Sequence, residues 1–213
     1  MGTPNKWLSS YLDNRTQQCF VNGSLSNTCT LLCGVSQGTM LGPLLFLLCI
    51  NDLPSCLSSS EPRMCADDIH LTCAGNEIYS IQSSLNRDLL NISHWLTANK
   101  LTLDMTKTEF MSIGTRQKLN NLPSPTAIEI NVTGINQVYS TKSLSIIIDG
   151  NLTWVNHIDI LSKKNCCWYW SYQTNHTLCT SRNSTWYIYR GIVQSHFDYC
   201  NVVWDNCGKN SFA

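Results

Sequence analysis

The sequence predicts an α+β fold in which an antiparallel sheet carries helices on one face. Two observations predict it. Ile78, Ile81, Leu85, Leu89, Ile92 and Trp95 step by three and four residues, the spacing of a single apolar helical stripe facing a core. Ile69, Leu71 and Cys73 alternate with His70 and Thr72 at the period of a strand, and Ile128, Ile130 and Val132 repeat that alternation further along.

Taken in order, Trp7, Leu8, Tyr11 and Leu12 have helical spacing within the stretch from Lys6 to Phe20, and Asn22-Gly23 marks a tight turn between two extended stretches. Pro43 suits the first turn of a helix, where its missing N–H is no loss. Leu44 to Leu53 continue as a helix apolar enough to require burial, until Pro54 stops it, and Ser55 to Pro62 form a loop. An acidic turn then leads into the strand containing Ile69, and Asn76 caps the striped helix. Leu101 and Leu103, then Phe110, Met111 and Ile113, suggest two strands around a turn at Asp104 to Thr108. Pro123 and Pro125 mark a link. Beyond it, residues 128–134 and the run Leu144 to Ile148, which ends at Asp149-Gly150, predict a small antiparallel sheet. Helix resumes after Trp154, through His157 to Lys164, and again from Trp186 to Asp198, whereas Asn165 to Thr185 show no clean period.

Composition narrows the function. Of 213 residues 43% are hydrophobic and 13% charged, with 14 basic and 14 acidic side chains. Average domains carry roughly 25% charged residues, and here 21 Asn, 24 Ser and 19 Thr supply the polarity instead. Seven Trp and eight Tyr exclude an intrinsically disordered chain. Zero net charge offers no bulk attraction for polyanions, so a nucleic-acid role must rest on local geometry or on parts outside these residues. The stretch Met1 to Trp7 has no apolar core segment, so no signal peptide is expected, the compartment is expected to be reducing and intracellular, and the seven Asn-x-Ser/Thr sequons are expected to be unused. Met40 to Ile50 is the longest apolar run, and its 11 residues fall short of the roughly 20 that cross a bilayer. Among the 12 cysteines, Cys29 and Cys33 have no matching second pair, which argues against structural zinc.

Two segments can carry chemistry. Asp67-Asp68 stand at the mouth of an apolar strand, directly after Ala66. Adjacent carboxylates repel unless a cation neutralises them, and a hard oxygen-seeking ion such as Mg²⁺ is the usual partner. The same pair also suits a plain solvated acidic turn. Gly34-Val-Ser-Gln-Gly-Thr-Met-Leu-Gly-Pro43 places glycines on both sides of Gln37, ahead of a helix. Glycines at that density let a backbone approach a phosphate or sugar, or else simply form a loop.

The two segments in this order, with Ile50-Asn-Asp-Leu-Pro54 between them and Cys65-Ala-Asp-Asp68 after it, resemble the reverse transcriptases of non-LTR retrotransposons of the jockey-like kind. The resemblance continues through Trp95-Leu-Thr-Ala-Asn-Lys-Leu-Thr-Leu103 and Lys107-Thr-Glu-Phe-Met111, similar to the palm segment after the catalytic turn. Lys142 to Leu144, Ile148-Asp149, Leu152-Thr-Trp154 and His157-Ile158 look like the primer-grip strand and the start of the thumb, and His196 to Trp204 like the region beyond it.

The resemblance implies a partial right-hand polymerase palm over residues 1–122, followed by a primer-grip sheet and a helical thumb or connection remnant over 123–213. It implies RNA-directed DNA synthesis by two Mg²⁺ ions, with an RNA template, a DNA primer and deoxynucleoside triphosphates, and no membrane and no defined protein partner. Asp67 and Asp68 match the metal-holding carboxylates, Gly34, Gln37 and Gly38 the loop near the incoming nucleotide, and Lys107 the position of a lysine that protonates the leaving pyrophosphate. The family's other aspartate comes from a strand upstream of the glycine-rich loop, where this sequence has only Asp13, and the basic fingers are not found. Cys65 stands in place of a large aromatic residue, Ser36 in place of a proline and Ser145 in place of a glycine. The expectation is a truncated remnant without polymerase activity of its own. The alternative is a non-catalytic module that binds RNA or an RNA–DNA hybrid, with C-terminal aromatics as stacking platforms.

Overall fold

The computed structural model describes residues 2–122, 127–174, 186–187 and 189–205, without the side chains of 166–174. Pro123, Pro125 and the aperiodic stretch beyond Thr174 up to Thr185 lie outside the described residues. The chain divides into two compact units, Met1–Thr106 with Ala127–Gly134, and Lys107–Thr126 with Ile135–Ala213.

In the first unit, helix α1 (Thr3–Leu12) ends where Asp13 turns extended and Asn14 takes φ 53°, well before Phe20. A long hairpin follows, with β1 (Thr16–Gln17) antiparallel to β4 (Cys29–Thr30) and β2 (Phe20–Val21) to β3 (Ser24–Leu25). Its tip is Asn22-Gly23, both at positive φ, as a type I′ turn requires. Helix α2 (Leu41–Ile50) begins two residues before Pro43. The predicted burial of this helix is wrong: Leu44, Leu47 and Leu48 are 53%, 52% and 62% exposed, and only Gly42 and Ile50 are buried. An all-apolar helix belongs in a core, but among the described residues no other element packs extensively against α2, so its middle stays in water. Pro54 lies within a 3₁₀ turn (Leu53–Cys56) that plants Leu53 fully in the core.

Strand β5 (Glu61–Cys65) pairs antiparallel with β6 (Asp68–Thr72). Pro62 falls inside β5, where a loop was expected. Counting from the closing pair Cys65–Asp68, the Pro62–Leu71 pair is a non-hydrogen-bonded one, so the missing N–H costs the ladder nothing. Helix α3 (Ile78–Ala98) buries Leu89 and Ile92 along the predicted stripe; its N-cap is Glu77 rather than Asn76. It closes with a Schellman pair, Leu101 N–H to Leu96 C=O and Lys100 N–H to Thr97 C=O, with Lys100 at φ 57°. Against α3 packs the hairpin of β8 (Glu129–Ile130) and β9 (Thr133–Gly134). Ile128 and Ile130 are buried, but Val132 is in the turn and 93% exposed, so the period-two alternation ends at Ile130.

In the second unit, β7 (Glu109–Phe110) runs parallel to β10 (Asn136–Gln137), and β11 (Ser140–Ser143) antiparallel to β12 (Ile146–Asp149). A short helix α4 (Arg116–Asn120) lies between, capped by the Thr115 hydroxyl. Leu144 is not in a strand: Leu144 and Ser145, at φ 45° and 69°, form the two-residue turn. Helix α5 (Val155–Thr174) continues without a break into the stretch that lacked a sequence period. Ile146, Trp154, Ile158, Leu161 and Trp204 make the core of this unit, Trp204 coming from the last helical turn (Asn201–Trp204). The antiparallel pairing is present locally as hairpins, and all six sheets among the described residues are two-stranded.

Candidate active site

The acidic pair sits at the tip of the β5–β6 hairpin. A two-residue loop, Ala66-Asp67, joins Cys65 to Asp68, and Ala66 at φ 54° occupies the position a primed turn reserves for positive φ. The register leaves Asp67 on the apex and Asp68 as the first residue of β6, both exposed. Among the described residues neither carboxylate has a hydrogen-bond or ion-pair partner. Ile69 and Leu71 turn to the half-buried face, so the outward positions of β6 are Asp68, His70 and Thr72.

Such a donor set suits a hard cation: two exposed carboxylates on adjacent residues, with no ion pair to a basic side chain among the described residues. It is incomplete as a cage. Among the described residues no three His, Cys, Asp or Glu side chains come together that could hold a metal ion.

The glycine-rich loop is built differently. Gly34 and Gly38 have φ 81° and 77°, and a Cβ on either would meet nothing within 4 Å, so backbone conformation rather than space demands glycine. The Thr39 hydroxyl donates to the Ser36 carbonyl at 2.9 Å and accepts from Gly42 N–H at 3.2 Å, which fixes the approach to α2. Arg15, which sequence reasoning missed, ties this loop to α1: its guanidinium donates to the carbonyls of Gly34 and Leu12. Gln37 and Gly38 are exposed at the tip. Gly34, Gln37 and Gly38 thus share one loop, and among the described residues no hydrogen bond joins it to the acidic turn. Lys107 is exposed in the turn before β7 and belongs to the second unit.

A second residue that sequence reasoning passed over meets the segment that leads into β5. Asp88 is fully buried on α3, and its carboxylate accepts the backbone N–H groups of Ser58, Ser59 and Ser60 at 3.1, 2.9 and 2.7 Å and the Ser58 hydroxyl at 2.8 Å. Burial alone would raise its pKa, but these donors hold it down at about 2. Arg87 and Asn91 reach the same segment, at Ser59 Oγ and the Cys56 carbonyl. The signal was present in the sequence, because Asp88 is three residues from Leu85 and four from Ile92, on the apolar stripe itself.

The hollow of about 470 Å³ beside α3, lined by Leu89, Ile92, Leu96, Lys100, Leu103 and Ile130 among others, includes none of the candidate residues. No described helix is long and apolar enough to cross a membrane.

Comparison with known proteins bears on this geometry. The family model for reverse transcriptase (RNA-dependent DNA polymerase) matches residues 1–170. The chain is 24% identical over 205 residues to a probable RNA-directed DNA polymerase from transposon X-element of Drosophila melanogaster, covering 92% of this chain and 22% of that protein. It is 29% identical over 164 residues to a probable RNA-directed DNA polymerase from transposon BS of the same organism, covering 74% of this chain and 18% of that protein. The chain therefore spans about a fifth of the length of these curated relatives. No solved structure matches it.

Proposed function

We propose, for a chain that belongs to the reverse transcriptase (RNA-dependent DNA polymerase) family, that it is a segment of the RNA-directed DNA polymerase of a non-LTR, jockey-like retrotransposon and presents one carboxylate strand of that enzyme's metal site. The observation that carries this reading is the exposed pair Asp67-Asp68 on a two-residue hairpin turn, without a partner among the described residues. Residues 1–122 are read as part of the palm, and 123–213 as the primer-grip sheet with thumb and connection.

Asp67 and Asp68 would hold Mg²⁺, a hard ion that prefers carboxylate and phosphate oxygens over the thiols and imidazoles nearby in sequence. Such an ion would supply charge stabilisation for nucleotidyl transfer at phosphorus. The Gly34–Gly42 loop, with its glycine backbone open at Gly34 and Gly38, lies along the nucleotide, and Gln37 at its tip offers an amide to the base or sugar. Lys107 donates a proton to the departing pyrophosphate, relieving charge on the leaving group. RNA template, DNA primer and deoxynucleoside triphosphates are the partners.

Two ions between phosphates need carboxylates from more than one strand, and the described residues assemble no third ligand. These 213 residues by themselves are therefore expected not to polymerise. Primer extension on an RNA template with purified chain and Mg²⁺ should give no product, and extension abolished by Asp67→Ala would overturn that expectation. The metal site is tested separately with Mn²⁺ as a paramagnetic probe: amide signals of residues 66–69 should broaden selectively, and uniform or absent broadening would sink the assignment.

A second reading is a non-catalytic module that binds RNA or an RNA–DNA hybrid. Trp186, Tyr187 and Tyr189 are 54%, 72% and 45% exposed, and the Arg190 guanidinium lies 5.5 Å from the Trp186 ring centroid. Exposed rings beside a cation suit stacked bases. RNA binding at micromolar protein that weakens with salt supports this reading, and no binding at low salt removes it.

A further inference from the structure

The structure assigns Asp88 a positioning role: its buried carboxylate fixes the segment Ser58–Ser60, and through it the direction in which the β5–β6 hairpin presents Asp67 and Asp68. The inference rests on the reading of that turn as a metal site.

Two strands without a third are marginally stable by themselves and need an outside anchor. Strands β5 and β6 pair only with each other among the described residues. Tip and base are separated by the five residues of β5, Glu61–Cys65, so the orientation of the base is carried straight to the carboxylates. At that base three consecutive backbone N–H groups point at one carboxylate, and a hydroxyl makes the fourth bond. Such an arrangement fixes the φ and ψ of Ser58, Ser59 and Ser60 together, because none can rotate without pulling its N–H off an anion that nothing else solvates. Asp88 stands on α3, which follows β6 in the chain. The helix that follows the hairpin in sequence thereby grips the loop that enters it. Arg87 at Ser59 Oγ (2.8 Å) and Asn91 at the Cys56 carbonyl (3.0 Å) hold the neighbouring positions.

A buried carboxylate serving only stability would be replaceable without consequence for the tip. A positioning residue is not, since a loosened base leaves the turn that carries both carboxylates more mobile, and a small hard cation binds only while both oxygens meet it together.

The test uses the full ¹⁵N-labelled chain as wild type, Asp88→Asn, Asp88→Glu and Ser58→Ala, with two independent readouts. The first is backbone relaxation at Ala66 and Asp67 without metal; the second is Mn²⁺ affinity from broadening of residues 66–69. In Asp88→Asn the amide group faces N–H donors, so Ser58–Ser60 should lose hydrogen-exchange protection, the turn should gain mobility and Mn²⁺ should bind up to about tenfold more weakly, no more than the least that a group bonded to the ligands themselves contributes. Asp88→Glu, which keeps the charge, should recover part of both. Unchanged mobility and affinity in Asp88→Asn, with Ser58–Ser60 released, overturns the inference. Should Asp88→Asn fail to fold, Ser58→Ala and Asp88→Glu decide it, because equal turn order in these two and the wild type also overturns it. Absence of Mn²⁺ binding in the wild type defeats the metal reading instead, while the relaxation data still judge Asp88.

Discussion

Asp149 Oδ2 accepts the backbone N–H of Trp154 at 2.9 Å, so the last residue of β12 governs the step into α5. The same carboxylate accepts from Asn151 N–H at 3.1 Å and from the N–H and hydroxyl of Thr153 at 2.9 and 3.0 Å. This set of bonds holds Leu152 and Trp154 at φ 53° and 63°, a region L-residues seldom enter. Burial pushes the Asp149 carboxyl up, but the Thr153 and Trp154 donors outweigh it and hold the group below the usual carboxylate range. Asp149→Ala should lower stability by about 2 kcal/mol, the cost of losing bonds to a charged acceptor less the strain released with them. A lower urea midpoint at unchanged slope would show it, and an unchanged midpoint would refute it.

Ser145 lies in the turn between β11 and β12, where its side chain has a cost. Leu144 and Ser145 both take positive φ, which a two-residue type I′ turn demands and which a side chain resists. Ser145→Gly should raise stability by about 1 kcal/mol, the left-handed penalty relieved less the entropy glycine adds to the unfolded chain. Thermal melting of the two proteins measures it directly.

Gly150 has the opposite requirement. A Cβ there would lie 2.7 Å from the Ser112 carbonyl oxygen, a backbone atom that cannot swing aside, where Gly114 N–H donates to the Gly150 carbonyl at 2.9 Å. Gly150→Ala should therefore destabilise by about 1–3 kcal/mol, as overpacking does. A melting temperature equal to the wild type would show that the two segments separate freely.

The sequence disclosed best what depends on near neighbours. The α3 stripe and the Asn22-Gly23 turn are written in consecutive residues, and so is the acidic turn. Partners far apart in the chain were hidden: Asp88 and Ser60 are 28 residues apart, and a serine cluster alone does not say which carboxylate it meets. Pro62 reads as a strand breaker because pairing register, not residue type, decides whether its missing N–H matters. Leu144 opens a β-branched run, yet the run does not reveal that the chain must reverse before Ile146. Burial of α2 was inferred from hydropathy, which states a preference and names no partner.

His157 should make the second unit sensitive to mildly acidic pH. It is 3% exposed, its Nδ1 accepts Ile147 N–H at 3.4 Å, its Nε2 is buried with no hydrogen-bond partner among the described residues, and its ring meets Trp204 edge-on. Burial, and then the Lys164 charge, lower its pKa below the ordinary 6.5. The unfolded chain then binds the proton more readily than the folded one, so stability is whole above pH about 6.5 and falls as pH drops below it. The melting temperature should decline between pH 7.5 and 5.5 in the wild type and decline less in His157→Gln. Parallel curves for the two would reject the assignment.

Asp88 predicts a further, more acidic limb. Its pKa falls from 3.8 to about 2, worth about 2 kcal/mol of folded-state preference for the carboxylate. Because the folded value is the lower one, that stability is present above pH 4 and is lost as pH falls toward 2. Urea midpoints taken from pH 5 to 2 should drop more steeply in the wild type than in Asp88→Asn, which starts less stable and has no charge to lose. Equal slopes would place the acid sensitivity elsewhere.

Helix α2 predicts self-association. Leu44, Leu47 and Leu48 are each more than half exposed, and Met40, just before the helix, is 97% exposed. Apolar area left in water drives association in proportion to its extent, at roughly 25 cal/mol per Å². The purified chain should elute broadly and early in gel filtration, more so as its concentration rises. Replacing Leu44, Leu47 and Leu48 together by Gln removes the apolar patch while keeping residues that tolerate helix. The triple variant should move to a sharp monomer peak with its melting temperature little changed, because exposed substitutions usually alter stability by about 0.5 kcal/mol or less. A sharp monomer peak already present in the wild type would contradict the prediction, and a triple variant that melts much earlier would mean these leucines are packed in solution.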